Sequence, residues 1–230
     1  MHPRFEAALI DLDGTLVDTV GDFEAALGLA LADLGFPAVG RNFVLRTIGK
    51  GSENLIIRTL AHVGADAQLL ELAMARYQHH YLRVNGLHSR VYPGVVEGLT
   101  ALTEAGLRLA CLTNKPQAFA RPLLEHHGLD RFFGPVFGGD AFARKKPDPL
   151  PLLEAMKVLH CIASRTLMVG DSSNDARAAR AAACPVVLVS YGYNHGEPIE
   201  SVDADAVVDR LDQVLPLLDR LKVARRGLDC

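Results

Sequence analysis

Two aspartates one residue apart, Asp11 and Asp13, end an apolar run, Ala7-Ala8-Leu9-Ile10, and are followed at once by Gly14 and Thr15. The run reads as a buried strand in the middle of a sheet. Carboxylates at i and i+2 on extended chain point to the same side. A free aspartate titrates near ~3.9, so two of them side by side repel at neutral pH. A divalent cation is the simplest way to offset that repulsion. Gly14 lets the backbone turn tightly and lets a ligand come close. A strand end followed by an Asp-Gly turn is the other reading of this stretch alone, so partners further along the chain must decide.

The elements that would bring such partners in are legible as an alternation. Residues 107–113, 136–139, 166–170, 186–190 and 206–208 read as further strands. Helical patterns fall at 92–104, 116–127, 150–159, 175–183 and 211–221. Strands alternating with helices predict an α/β fold, a Rossmann-like parallel sheet with helices on both faces. Residues 17–90 break the alternation. Phe23, Ala26, Leu27, Ala30, Leu31 and Leu34 recur at helical spacing, and Gly35 ends that helix. A second helix, opened by Ser52 as N-cap, closes near Gly64, and a third runs from about Leu69 toward Val84. No strand is expected here. The predicted organisation is an α/β core of residues 1–16 and 91–230 with a small helical module, 17–90, inserted after the first strand. The tail, 224–230, reads as loose.

In an open parallel sheet, ligands gather at the carboxyl ends of the strands. The first strand ends in Asp11 and Asp13, and the second in Thr113 and Asn114. The third leads to Lys145-Lys146-Pro147-Asp148-Pro149. The fourth ends in Asp171, with Asp175 one helical turn on. Clustered carboxylates with open oxygen positions suit a hard cation, best matched by Mg²⁺. The set suits phosphoryl transfer. One carboxylate attacks phosphorus, and a second gives a proton to the leaving alkoxide and later takes one from water. Thr113, Asn114 and backbone N–H groups hold the phosphoryl oxygens, and Lys146 supplies fixed positive charge.

Composition narrows the field. The chain has 230 residues, 49% hydrophobic and 22% charged, with a net charge of −3. That is enough apolar material for a sizeable core, and it lacks the basic excess of a nucleic-acid or anionic-membrane surface. No apolar run reaches the ~18–20 residues that span a bilayer, and no signal peptide is read at the start. The four cysteines, Cys111, Cys161, Cys184 and Cys230, show no metal-ligand spacing. Cys111 reads as a small buried hydrophobe, and a reducing cytoplasm fits. Neighbouring histidines, His79-His80 and His126-His127, face different ways on a helix and make poor joint ligands.

Four segments then carry a resemblance: Asp11-Leu12-Asp13-Gly14-Thr15-Leu16-Val17-Asp18-Thr19, Leu112-Thr113-Asn114-Lys115, Lys146-Pro147-Asp148-Pro149 and Gly170-Asp171-Ser172-Ser173-Asn174-Asp175. In this order they resemble the four motifs of the haloacid dehalogenase-like hydrolases and span nearly the whole chain. The resemblance implies Asp11 as nucleophile, Asp13 as general acid/base, and Lys146 as the catalytic lysine. It implies Mg²⁺ held by the Asp11 side chain, the Asp13 backbone carbonyl and Asp171. Asp175 is then a carboxylate outside the ligand set, or one that orients the lysine. The inserted module corresponds to the family's mobile cap. Tyr191-Gly192-Tyr193-Asn194-His195-Gly196-Glu197 is most similar to bacterial phosphoglycolate phosphatases. This implies hydrolysis of 2-phosphoglycolate to glycolate and phosphate through an aspartyl-phosphate, by a monomer or homodimer.

Asp13 separates the chain from phosphonoacetaldehyde hydrolases and from dehalogenases, which lack this form of the first motif. A phosphatase for an amino-sugar phosphate or pyrophosphate, and a phosphosugar mutase, remain as alternatives. A catalytically silent binding protein is the alternative outside enzymes. Intact Asp11, Asp13, Lys146 and Asp171 speak against it, since buried like charges are costly without their cation. In the cap, Ile48-Gly49-Lys50-Gly51-Ser52 is a glycine-flanked turn leading into a helix. Lys50 reads either as a contact for the carboxylate of the leaving group or as a solvated lysine in an inter-helix turn. Gly21 stands where many phosphoglycolate phosphatases carry proline. Lys115 and Lys145 read as flanking charges.

Overall fold

The computed structural model describes residues 5–221; the loose tail expected over 224–230, and Cys230 with it, lies outside them. The first strand, β1 (Ala7–Ile10), is buried along its whole length. A two-residue strand, β2 (Val17–Asp18), leads into four helices: α1 (Val20–Asp33), α2 (Arg41–Thr47), α3 (Ser52–His62) and α4 (Leu70–Val84). The chain returns through β3 (Arg90–Val91), and then strands and helices alternate. They run α5 (Val95–Glu104), β4 (Arg108–Leu112), α6 (Gln117–His126), β5 (Val136–Phe137) and α7 (Leu150–Val158). β6 (Thr166–Gly170), α8 (Ser173–Ala181), β7 (Val186–Val189), β8 (Ala206–Val208) and α9 (Val214–Leu217) follow.

Six strands form one sheet in the order β5-β4-β1-β6-β7-β8, and every pairing in it is parallel. Alternate residues feed opposite faces, as the period of two requires. Ala8, Ile10, Cys111 and Val169 pack against α5 and α6 through Leu99, Leu102, Leu123 and Leu124. Ala7, Leu9, Ala110 and Met168 pack against α7 and α8 through Leu152, Ala155, Ala176 and Ala179. The short side chains on α8 let that helix sit close to the sheet. The inserted helices bury a core of their own around Phe23, Leu27, Leu55, Tyr77 and Tyr81. Among the described residues no helix is long and apolar enough to cross a membrane.

Three expectations are corrected. The stretch 17–90 holds two short strands where none was expected. β2 and β3 pair antiparallel, Val17 with Val91 and Asp18 with Arg90; each is too short to carry a periodicity. Ser52 does not cap α3: Gly51 takes that position with φ of 88°, so the chain turns one residue early. The closing helix shrinks to a 3-10 turn, Leu211–Gln213, and the four residues of α9, where Pro216 has no N–H to donate. The paired histidines meet edge-on, with rings 79° and 87° apart, and do not converge on one point.

The two linkers to the inserted helices are fastened by a buried carboxylate. Asp22, fully buried at the start of α1, accepts from the backbone N–H of Gly86 at 2.8 Å and of His88 at 2.7 Å. Beside it, a Cβ on Gly21 would come within 2.5 Å of the His88 carbonyl oxygen, so glycine suits this close approach. Asp22→Ala strands two backbone donors and is expected to cost on the order of 3 kcal/mol. Asp22→Asn, which keeps an acceptor, should cost less. Urea denaturation of the three proteins measures both.

Candidate active site

Register places the polar strand ends together. Ile10 lies opposite Cys111 on one side and Val169 on the other, so Asp11 emerges between the end of β4 and the end of β6. Thr113 and Asn114 follow β4 directly, and Asp171 follows β6. The Asp11 N–H is anchored on Val169 O at 2.9 Å. Gly14, with φ of 85°, turns the chain back so that its own N–H reaches Val17 O.

Lys146 is the cation at the centre of this cluster. Its Nζ is 2.9 Å from Asp11 Oδ1 and 2.7 Å from Asp175 Oδ1, and it donates to Leu112 O at 2.7 Å. Asn114 fixes the lysine's backbone from both sides, accepting from Lys146 N at 3.0 Å and donating to Lys146 O at 2.9 Å. Burial pulls Lys146 toward the neutral form, but Asp11 and Asp175 outweigh it and its pKa is raised. Asp175 is fully occupied. Its Oδ2 accepts from Asp171 N, Ser172 N and Ser172 Oγ at 3.2, 3.2 and 2.8 Å, while its other oxygen holds the lysine.

Asp11 and Asp171 are differently placed. Asp11 Oδ1 is buried and has the Lys146 ammonium beside it at 2.9 Å, with no backbone or hydroxyl donor among the described residues. Burial raises the Asp11 pKa to about 6; Lys146 opposes the rise, and Asp175 and Asp13 add to it. Asp171 is raised well above the usual carboxylate range by burial and by Asp175 and Asp11. Its oxygens take Tyr193 N–H at 2.6 Å and the Thr15 hydroxyl at 3.4 Å. The backbone crowds it: a Cβ on Gly14 would come within 2.1 Å of Asp171 Oδ2, and one on Gly192 within 2.2 Å of Asp171 Cβ.

One oxygen each from Asp11, Asp171 and Asp175 lie within 4.8 Å of one another. Such a knot of buried oxygens, one of them without a backbone or hydroxyl donor, fits a hard divalent cation. Asp175 is committed to Lys146 and to three donors of the Asp171–Ser172 turn, whereas Asp171 Oδ1 has only the long 3.4 Å contact with the Thr15 hydroxyl; Asp11 and Asp171 are the side chains better placed to hold the cation.

Asp13 lines the same cavity as Asp11, on the side of the inserted helices. Its Oδ1 accepts from Thr19 Oγ1 at 2.8 Å and from Lys115 Nζ at 2.9 Å. Lys115 is buried, not a flanking charge as expected, and it also reaches the Tyr81 hydroxyl of α4. Its position at the mouth of α6 depends on how that helix docks on the sheet, which no spacing reveals. Lys145 is exposed. So is Lys50; the glycines flanking it line the cavity, and its side chain does not. The cavity lies over Asp11, Asp13, Thr113 and Asn114 and is roofed by Phe23, Ile48, Leu55, Tyr77 and Tyr81. It offers about 20 Å³ of water-accessible space, room for roughly one water molecule. The helical roof must therefore lift for an ester to come in.

The haloacid dehalogenase-like hydrolase family model matches residues 8–189. The chain belongs to that family. This haloacid dehalogenase-like hydrolase is similar to a phosphoglycolate phosphatase of Thiobacillus denitrificans, with 45% identity covering 90% of this chain and 92% of the relative. It is similar to the plasmid-encoded phosphoglycolate phosphatase of Cupriavidus necator at 44%, covering 95% of each chain. A crystal structure of a predicted phosphoglycolate phosphatase from Haemophilus somnus superposes with a TM-score of 0.90 at 31% identity, covering 94% of this chain and 99% of that one. The fold read from the sequence is thus the family's, helical cap included.

The raised carboxylates set a pH dependence. Asp11 moves from an ordinary value of 3.8 to about 6, so the folded chain holds protons that the unfolded chain has released. Without a cation, stability should fall as pH rises from about 4 through about 6. A divalent cation bound among these carboxylates would take the protons' place, and Mg²⁺ is the ion to add. It is expected to raise Tm by several degrees at about pH 8 and by little at about pH 5. Thermal melting at constant ionic strength checks this; equal gains at both pH values would place the cation elsewhere.

Proposed function

We propose that this chain is a Mg²⁺-dependent phosphatase that hydrolyses 2-phosphoglycolate to glycolate and phosphate. The observation that carries the reading is Asp11. It is a buried carboxylate whose partner is the fixed ammonium of Lys146, under a cavity that excludes bulk water. The names of the relatives, at over 40% identity across almost the whole chain, supply the substrate.

In this reading residues 17–90 form the cap over a core of 1–16 and 91–230. An Asp11 oxygen attacks phosphorus as the bond to the glycolate oxygen breaks, and the phosphoryl group passes to Asp11. Asp13 hands its proton to the departing alkoxide. It then takes a proton from the water that attacks phosphorus and releases phosphate, restoring Asp11. Thr113 and the backbone of Asn114, whose side chain is spent on Lys146 and Gly49, hold the phosphoryl oxygens, and Lys146 supplies positive charge against them. Asp175 keeps Lys146 aimed, as its 2.7 Å contact allows. The Asp11 side chain, the Asp13 carbonyl and Asp171 would hold Mg²⁺, which when bound would supply positive charge against the phosphoryl oxygens. In this reading the enzyme works in the cytoplasm as a monomer or homodimer.

The test is phosphate release from a panel of small esters with Mg²⁺ present. 2-Phosphoglycolate is expected to give the highest kcat/KM, and Asp11→Asn to lower kcat about 1,000-fold or more. No release from any ester, with wild type equal to Asp11→Asn, would point to a binding protein, and isomerisation without release to a mutase. Preference for an amino-sugar phosphate or pyrophosphate would move the substrate and leave the chemistry standing.

A further inference from the structure

The reaction set out above leaves one buried charge without a task. Lys115 is only 5% exposed, and taking an ammonium out of water costs several kcal/mol unless it is paired. Its partners are Asp13 Oδ1 at 2.9 Å and the Tyr81 hydroxyl. The rings of Phe23 and Tyr81 lie 4.8 and 4.6 Å from Nζ, a cation–π arrangement. Among the described residues lining the cavity, Lys115 is the one cation. Lys146 is held beside Asp11 by Asp175 and Leu112 O and does not line the cavity, and Lys50 is exposed.

Position and charge then point the same way. Asp13 delivers its proton to the ester oxygen, so an ammonium 2.9 Å from that carboxyl lies beside the atoms just beyond the ester oxygen. In 2-phosphoglycolate those are a methylene and a carboxylate. A carboxylate at that place would pair with the ammonium, whereas a neutral alcohol offers it no charge. The aromatic walls, Phe23, Tyr81 and Phe119, limit the length of what fits.

We propose that Lys115 is the residue that selects an acidic leaving group. Its ammonium, steadied by Tyr81, receives the carboxylate of a short phosphorylated acid. The proposal rests on the phosphatase reading and assigns the contact to Lys115 in place of Lys50.

Two unreactive phosphonates test it. 3-Phosphonopropionate matches 2-phosphoglycolate in length and charge, and propylphosphonate lacks the carboxylate. Neither takes a proton from Asp13, so calorimetric affinities with Mg²⁺ present report recognition alone. Wild type is expected to prefer the carboxylated probe by about 100-fold, and Lys115→Met to bind the two within a few-fold of each other. Lys115→Gln, which keeps a donor for Asp13, replaces the Met variant if that one does not melt as a folded protein, with the same expectation. A preference that survives the substitution, or equal weakening of both probes, overturns the proposal. So does a wild type that binds both alike, and hydrolysis of 2-phosphoglycolate would then still uphold the phosphatase reading. A probe preference that depends on Lys115, in a protein that releases no phosphate from any ester, supports the acid-binding role and removes that reading.

Discussion

Three buried carboxylates, Asp11, Asp171 and Asp175, face one buried ammonium, Lys146. That imbalance is the constraint the rest of the structure is built around. Three negative charges against one positive leave two over, the charge of one divalent ion. Burial then makes the excess costly, and the raised pKa values of Asp11 and Asp171 are its measure. A chain with this cluster folds most comfortably either protonated or metal-bound. The Asp13–Lys115 pair, by contrast, is neutral as a unit. In the proposed reaction, cation and phosphoryl group would gather at Asp11 and the leaving group at the Asp13–Lys115 pair.

The roof completes the site through few contacts. Asn114 and Asn174 both donate to the carbonyl of Gly49 in the cap, at 3.0 and 3.3 Å. Asn85 reaches back to Phe119 O at 2.9 Å, and Lys115 reaches Tyr81. Several of these core residues also organise the chemistry: Asn114 fixes Lys146, and Lys115 pairs with Asp13. Closing the roof and ordering the reacting groups are therefore linked through the same side chains. Exclusion of water strengthens every charge interaction inside.

Much of this was legible in the residues themselves. The apolar runs gave the strands, and the rule that parallel sheets gather ligands at their carboxyl ends brought Asp11, Thr113, Lys146 and Asp171 to one place before any coordinates. Asp175 was set apart as a carboxylate outside the ligand set or one that orients the lysine, and it lies 2.7 Å from Lys146 Nζ. Lys115 was not found because its role depends on α6 and α4 approaching each other across domains, and a lysine beside a motif looks the same whether buried or solvated. β2 and β3 were missed for a related reason: two-residue strands owe their existence to the partner, not to local preference. Ser52 looked like a cap because the residue type is right, but the positive φ of Gly51 shifted the helix start.

The pairing of β2 with β3 has a wider bearing. The inserted helices leave and rejoin the core side by side, Val17 against Val91 and Asp18 against Arg90. To the sheet, some seventy residues look like the loop of a hairpin. A replacement of different size or shape needs to match only that two-residue doorway. The machinery for cleaving phosphate can stay constant while evolution exchanges the part above it, one substrate's lid for another's.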